Sequence, residues 1–256
     1  MDMFSLKDRV ALVTGGAGLY GRQIVRALAE AGARVYVASR SLDKLQALAA
    51  EYRAAGHDVR ALEMDQGSEA SIKAMREAIA TDSGRLHVLV NNAVARPVKK
   101  GYFSDAASID QSLHINGTGL ILLTREVGEI LTDGGSIINI GSIMGLVGLE
   151  PLNYRGTEMQ GWYPDYFFNK GGMANYTRFL ASYYGRRGIR VNCVHPGGLW
   201  MANQPDAFVS NYCERTCLNR LANDTDLMGI IVFLASDASA YVTGASIPVD
   251  GGYTAK

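Results

Sequence analysis

Short apolar runs alternate with longer stretches of helical periodicity along the whole chain. The first run, 10–13, precedes a glycine-rich turn and then a stretch with apolar residues at helical spacing, closed by Gly32. Further apolar runs predict strands at 35–38, 59–62, 86–90, 136–140, 190–194 and 246–249. The segments between them predict helices at 41–56, 68–84, 108–130, 165–186 and 224–235.

The predicted strands are continuously apolar rather than alternating between apolar and polar residues. That pattern is typical of a parallel sheet with helices on both faces. The alternation of strands and helices therefore predicts an α/β fold with a doubly wound, parallel, seven-stranded sheet of Rossmann type. No linker, repeat or low-complexity tract interrupts residues 1–256, which we interpret as a single domain.

Composition and charge narrow the function classes. Lys plus Arg and Asp plus Glu each total 25, and no basic stripe indicates nucleic-acid binding. No apolar run reaches the roughly 18 residues of a membrane span, and residues 1–5 do not resemble a signal peptide. Cys213, Cys217 and the upstream His195 lack the paired spacing of a zinc site, so no metal is expected. We expect a cytoplasmic protein that acts on a small molecule.

The turn after the first strand carries Gly15, Gly18 and Gly21 and opens a predicted helix. Glycine permits positive φ and close backbone approach, and a helix N-terminus favours a pyrophosphate. The position of the turn between strand and helix predicts a dinucleotide site. The alternative is a tight turn that binds no ligand.

The end of the second strand bears on the choice of cofactor. Ser39 and Arg40 stand there, and Arg40 lies 19 positions after Gly21, where an acidic residue often grips the ribose 2′-hydroxyl. An arginine would instead pair with a 2′-phosphate, so NADP(H) is favoured and NAD(H) is the alternative. In that alternative, Arg40 would stack on adenine or face solvent. Asp65, after the third strand, is expected to accept a hydrogen bond from the adenine amino group.

Tyr166 and Lys170 stand four positions apart, which places them on one face of a predicted helix. After Lys100 the chain uses lysine only at positions 170 and 256. A compact ammonium at position 170 would favour the phenolate form of Tyr166 and bind ribose hydroxyls.

The chain resembles the short-chain dehydrogenase/reductase family over essentially its whole length. The resemblance lies in motifs that occur in the family's order: the glycine loop, Asn91-Asn92-Ala93, Asn116, Ser142, Tyr166 with Lys170, and Pro196-Gly197. It implies a nicotinamide-dependent oxidoreductase that acts on CH–OH groups and assembles as a homotetramer or homodimer.

The resemblance also implies a role for each motif. Tyr166 would be the acid/base, Ser142 would polarise the substrate oxygen, and Asn116 would hold a water that relays protons to Lys170. The cofactor contacts would be Gly15, Gly18, Tyr20, Gly21, Ser39, Arg40, Asp65, Asn92, Lys170, Pro196 and Gly197.

Two departures from the family pattern bear on the substrate. The glycine spacing is more typical of the extended branch that acts on nucleotide sugars. Ser142 and Tyr166 are also 24 positions apart, more than in most members, which marks an active-site insertion at about 146–164. A similar segment occurs in relatives linked to sugar and flagellin-glycan modification and suggests a carbohydrate-like substrate. The alternative is an oligomer contact or a simple lid.

The insertion, the loop after the fourth strand and a substrate loop at about 198–220 supply candidate substrate contacts. Arginine suits an anionic group, Asn and Glu suit sugar hydroxyls, and Trp suits the apolar face of a pyranose. The candidates are Arg96, Asn153, Arg155, Glu158, Trp162 and Trp200. We therefore predict a polar, polyhydroxylated and, in the sharper version, anionic substrate.

Three functional hypotheses follow from the sequence. The favoured one is a dehydrogenase or reductase for a polyhydroxylated substrate. The second is a nucleotide-sugar epimerase or dehydratase, prompted by the glycine spacing, and the third is a non-catalytic NADP-binding regulator. The combination of Asn116, Ser142, Tyr166 and Lys170 argues against the third.

Overall fold

The computed structural model describes residues 2–256, so Met1 of the amino-terminal segment lies outside the described residues. Seven parallel strands form one sheet in the order β3-β2-β1-β4-β5-β6-β7. They are β1 (Val10–Thr14), β2 (Arg34–Ser39), β3 (Val59–Glu63), β4 (Leu86–Asn91), β5 (Leu131–Ile140), β6 (Arg190–Pro196) and β7 (Ser246–Val249). The predicted doubly wound fold is confirmed.

The described residues form eight α-helices, and six of them cover the two faces of this sheet. The eight helices are α1 (Leu19–Glu30), α2 (Leu42–Ala54), α3 (Glu69–Ser83), α4 (Ala106–Leu113), α5 (Gly119–Gly128), α6 (Pro164–Tyr184), α7 (Asp206–Arg215) and α8 (Met228–Ala235). Apolar residues of α1, α2 and α8 pack on one face, and those of α3, α5 and α6 pack on the other. The strands lie between these two layers, which is why they are apolar on both sides.

The strand order reverses beside β1, which pairs with β2 on one side and with β4 on the other. The connections after β1 and after β4 therefore leave the sheet in opposite directions. A crevice opens at the carboxyl ends of these two strands, which is where open α/β sheets bind ligands.

The helix predicted at 108–130 is not continuous. A π-helical turn, His114–Thr118, separates α4 from α5. Glycine at 117 and 119 lowers the helix propensity of this turn. Position 119 has no room for a side chain, because the backbone of Gln66 lies close to it. A Cβ at Gly119 would lie 2.2 Å from the Gln66 carbonyl oxygen.

Two other differences lie near the carboxyl end. The helix predicted from 224 begins only at Met228, because Asn223 accepts hydrogen bonds from the main chain of residues 225 and 226 in a turn. Helix α7 was not predicted. No helix among residues 2–256 has the length and apolarity that crossing a membrane requires.

Candidate active site

A cavity of about 730 Å³ lies over the carboxyl ends of the central strands. It extends from the glycine loop and the end of β2 to the first turns of α6 and to α7. Twelve of the residues predicted for the site line it: Gly15, Gly18, Tyr20, Gly21, Ser39, Asn92, Arg96, Ser142, Tyr166, Lys170, Pro196 and Gly197. One cavity thus brings together segments that are far apart in the sequence.

The glycine loop packs closely against its own backbone at the start of α1. Gly15 has φ +67°, and a Cβ at Gly21 would lie 2.2 Å from the Gly15 carbonyl oxygen. Helix α1 begins directly after Gly18, whose backbone caps it without a side chain. The first N–H groups of the helix therefore remain available to an anion.

Asn92 and Tyr20 tie the glycine loop and the start of α1 to the ends of β4 and β6. The Asn92 amide donates to the carbonyl oxygens of Thr14 at 2.9 Å and Gly15 at 3.0 Å. The Tyr20 hydroxyl donates to the Gly197 carbonyl at 2.9 Å. Burial raises the pKa of Tyr20, so the phenol remains a neutral donor. Both side chains therefore shape the cavity wall.

At the end of β2 the cavity is lined by Ser39, Ser41 and Lys44. Sequence analysis missed Lys44, although its place in the first turn of α2, four positions after Arg40, was a usable signal. Arg40 is exposed and does not line the cavity. Asp65 does not line it either, and one of its carboxylate oxygens accepts from the Gly67 N–H at 2.9 Å.

Lys170 is buried, and its Nζ donates to the Ile140 carbonyl oxygen at 2.5 Å. The ammonium nitrogen lies 5.9 Å from the centroid of the Tyr166 ring. Burial lowers the pKa of Lys170 to about 8, while the neighbouring Cys193 opposes that shift and Arg96 adds to it. The amine of Lys170 thus lies buried beside the phenol of Tyr166, and its pKa is lower than that of an exposed lysine.

Ser142 follows β5 and is buried against the cavity. Its hydroxyl oxygen accepts from the Met144 N–H at 3.2 Å, so its proton can point toward a ligand. Behind it, Nδ1 of the fully buried His195 lies 2.9 Å from the Ser142 carbonyl oxygen. Since a carbonyl only accepts, that nitrogen carries the proton and donates. Burial also lowers the pKa of His195, which keeps the ring neutral.

Asn116 lies in the π-helical turn and is not a wall of the large cavity. With Tyr166 and Lys170 it lines a second cavity of about 10 Å³. Its side chain pairs with the main chain of Ala95, accepting from the N–H and donating to the carbonyl at 2.8 Å each. The Asn116 amide therefore holds the loop after β4, a contact that sequence analysis did not predict.

Of the six predicted substrate residues, only Arg96 lines the cavity. Its guanidinium carbon lies 3.8 Å from the centroid of the Tyr166 ring. The other five predicted residues are not walls of this cavity: Asn153, Arg155, Glu158, Trp162 and Trp200.

The reason differs among them. Asn153 is buried and donates to the hydroxyl of the buried Tyr253 at 2.7 Å, so its side chain is part of the core. Arg155 and Glu158 are exposed. Trp162 and Trp200 are also exposed, with 55% and 56% of their surface accessible.

The insertion does reach the cavity, but through other residues. It contributes Leu149, Tyr154, Met159, Gln160, Gly161 and Tyr163, and the substrate loop contributes Gly198, Leu199, Met201, Gln204, Phe208 and Tyr212. This end of the cavity is therefore mainly aromatic and aliphatic, with hydroxyl and amide groups interspersed. Arg96 is the one arginine among its described walls.

Comparisons with known proteins agree with this arrangement. Residues 18–254 match a family model described as enoyl-(acyl carrier protein) reductase. The chain is 36% identical to cis-4-hydroxycyclohexanecarboxylate dehydrogenase of Sinomonas cyclohexanicum, with 97% of each protein covered. It is 31% identical to D-threitol dehydrogenase of Mycolicibacterium smegmatis, over 99% of this chain and 95% of that protein.

A solved structure is similar over the same length. Gluconate 5-dehydrogenase from Burkholderia cenocepacia, in complex with NADP and tartrate, superposes with a TM-score of 0.87 at 26% identity. The match covers 100% of this chain and 98% of that chain.

The environment of Lys170 predicts a pH-dependent stability. Its pKa falls from 10.5 in the unfolded chain to about 8 in the fold, so the unfolded state binds more protons between these values and stability rises with pH across them. Lys170→Met should raise the free energy of unfolding of the ligand-free protein by up to about 3 kcal/mol below pH 8. The gain should fade toward pH 10.5.

Chemical denaturation at pH 7 and pH 10 measures this difference, and Lys7→Met, at an exposed position, is the control. A Lys170→Met variant that is less stable than the wild type at pH 7 would show that the ammonium is not destabilised by burial.

Proposed function

The chain belongs to the short-chain dehydrogenase/reductase family, and on this premise we propose that Tyr166, Ser142 and Lys170 catalyse hydride exchange between a nicotinamide cofactor and a hydroxylated carboxylic acid. The enzyme is an oxidoreductase that acts on CH–OH groups with a small-molecule substrate. The observation that carries the proposal is that a phenol, a hydroxyl and a buried ammonium share one cavity with a glycine loop.

The walls of the cavity fit the cofactor. The glycine loop and the N-terminus of α1 would bind the pyrophosphate. Because Gly21 has no Cβ, the helix can lie directly against the backbone of the loop. Asn92, Pro196 and Gly197 would flank the nicotinamide end, and Lys170 would bind ribose hydroxyls. When bound, the cofactor accepts or supplies the hydride.

Each of the remaining groups would handle the substrate oxygen or its proton. Ser142 would donate to the substrate oxygen and polarise it. Tyr166 would take the hydroxyl proton during oxidation and return it during reduction, as a general acid/base. Lys170 would favour the phenolate through its charge. The small cavity beside Asn116 supports a path by which the proton leaves Lys170.

The second half of the proposal concerns substrate class. Arg96 is a cation over the Tyr166 ring, where it would pair with a carboxylate on the same molecule as the reacting carbinol. Gln160, Gln204 and the tyrosine hydroxyls suit further hydroxyl groups, while Phe208 and the methionines suit an apolar ring. The similar proteins named above include dehydrogenases of a cyclic hydroxy acid and of a sugar acid.

For the cofactor we propose NADP(H), with NAD(H) as the alternative. Ser39, Ser41 and Lys44 line the cavity at the end of β2, and Arg40 lies between the two serines. No carboxylate lines that end among the described residues, so a 2′-phosphate would meet the Lys44 cation, with the exposed Arg40 beside it, and no repulsion.

We also propose that the enzyme is a cytoplasmic homo-oligomer, a tetramer or a dimer. An aromatic ladder on α6 supports the assembly: Phe179 stacks with Tyr176 and with Tyr183, and Phe179 and Tyr183 are 60% and 70% exposed. Light scattering of the purified protein measures the oligomeric state, and a monomer would contradict this part of the proposal.

Replacing the acid/base tests catalysis. Tyr166→Phe should retain the melting temperature and the cofactor dissociation constant but lose at least ~10²-fold in turnover, because the general base that takes the hydroxyl proton is removed. The measurement is steady-state NAD(P)H formation with a panel of hydroxy acids. Tyr241→Phe, at a fully exposed position that does not line the cavity, is the matched control. Near-wild-type turnover by Tyr166→Phe would refute the assignment.

Cofactor preference depends on Arg40. Arg40→Asp should weaken NADP(H) binding by about 1–3 kcal/mol, since a charge-assisted contact is replaced by repulsion, while NAD(H) binding is retained. Fluorescence titration with both cofactors measures the shift. Arg53→Asp makes the same charge change on α2, where Arg53 donates to Ala49 of its own helix. A wild type that already prefers NAD(H) would overturn this proposal.

Arg96 decides the substrate class. Arg96→Met should raise the Michaelis constant for a hydroxy-carboxylate about tenfold or more, and for its carboxamide only slightly, because only the acid loses an ion pair. Arg155→Met, at an exposed position outside the cavity, is the control. Equal effects on the acid and the amide, with good turnover of apolar ketones, would exclude an anionic substrate.

A further inference from the structure

The carboxylate of Asp165, the residue directly before Tyr166, is buried in the fold. Asp165 is only 6% exposed, and the proposed chemistry does not use it. Its Oδ2 accepts from the Ser112 hydroxyl at 2.5 Å, while its Oδ1 is buried without a hydrogen-bond partner among the described residues. Burying a carboxylate costs several kcal/mol, and its place in the first turn of α6 offsets only part of that. A purely structural position would be served better by an apolar side chain.

The partners of Ser112 fix which of its hydrogen bonds it accepts and which it donates. Its oxygen accepts from the side-chain amide of Asn116 at 3.1 Å and, more weakly, from that of Asn169 at 3.4 Å. Both bonds use amide nitrogens, which only donate. Both lone pairs of the hydroxyl are therefore taken, and its single proton must point to an acceptor. The Asp165 carboxylate is that acceptor, and it orients the serine so that its lone pairs face the two amides.

The next link reaches the loop after β4. One Asn116 amide proton goes to Ser112 and the other to the Ala95 carbonyl, while the amide oxygen accepts from the Ala95 N–H. A flipped amide would lose all three bonds. Residue 95 is thereby fixed, and the guanidinium of the next residue, Arg96, lies 3.8 Å from the centroid of the Tyr166 ring.

We propose that Asp165 is a positioning residue that, through Ser112 and Asn116, holds Arg96 over the Tyr166 ring. Arg96 lies where negative charge develops when the phenol loses its proton, and a cation over an aromatic face favours that charge. The inference rests on the proposed acid/base role of Tyr166. It assigns a function to Asp165 and Ser112 that is separate from substrate binding.

A double-mutant cycle between Asp165 and Arg96 tests the link. The readout is the pH profile of kcat for oxidation of a saturating neutral alcohol, so that anion binding by Arg96 does not enter. Asp165→Ala should lower kcat at pH 7 about tenfold and move the rising limb of the profile to higher pH. Arg96→Met should do the same, and the double variant should be no worse than Arg96→Met.

Three further variants separate positioning from general damage. Asp165→Asn still offers an acceptor to Ser112 and should restore most of kcat. Ser112→Ala breaks the chain while keeping the carboxylate and should reproduce the pH shift, which also serves if Asp165→Ala does not fold. Asp110→Ala, an exposed carboxylate on α4, should match the wild type.

Effects of Asp165→Ala and Arg96→Met that multiply in the double variant would overturn the inference. So would a lower melting temperature of Asp165→Ala, or of Ser112→Ala, with an unchanged pH profile. The proposed function fails separately: it is refuted by an active Tyr166→Phe variant, whatever the cycle shows.

Discussion

The hydrogen bond from the Lys170 ammonium to the Ile140 carbonyl is the contact on which the site depends. It joins the helix that carries Tyr166 to the last residue of a central strand, at 2.5 Å and away from solvent. Close packing is required to bring them together: a Cβ at Gly145 would lie 2.4 Å from the Lys170 carbonyl oxygen. Burial of the amine opposes folding, and the sheet and its helices supply the stability that offsets it.

The strand ends around this contact determine where the other groups stand. Ser142 follows Ile140 by two residues, and the imidazole of His195, on β6, donates to its carbonyl. The main chain at residue 141 donates to the Val194 carbonyl at 2.7 Å, so the serine is held between two parallel strands. The proposed reacting groups therefore belong to regular elements or follow them directly, whereas the proposed substrate end of the cavity is built from loops and short helices. Loops vary more among related proteins than regular elements do, so this division allows the substrate to change while the reaction stays the same.

Much of this arrangement could be predicted from the sequence, because the signals are local. Strands buried on both faces are continuously apolar, and Tyr166 and Lys170 share a helix face through their spacing alone. The side-chain directions in the insertion could not be predicted. Asn153 lies in a 3₁₀ helix, Pro151–Tyr154, whose buried side faces Tyr253, a residue 100 positions away. The Ser112–Asp165 pair likewise joins residues 53 positions apart, which no periodicity reveals.

We infer that Tyr166 acts beside a buried amine, that of Lys170, whose pKa is lowered by burial. NMR titration of ¹³Cε-labelled lysines observes that amine directly. The chain has only seven lysines, and the signal of residue 170 is assigned by its absence from Lys170→Met. We expect this signal to titrate with a pKa of about 8 in the ligand-free protein. A midpoint near the ordinary value of 10.5 would contradict it.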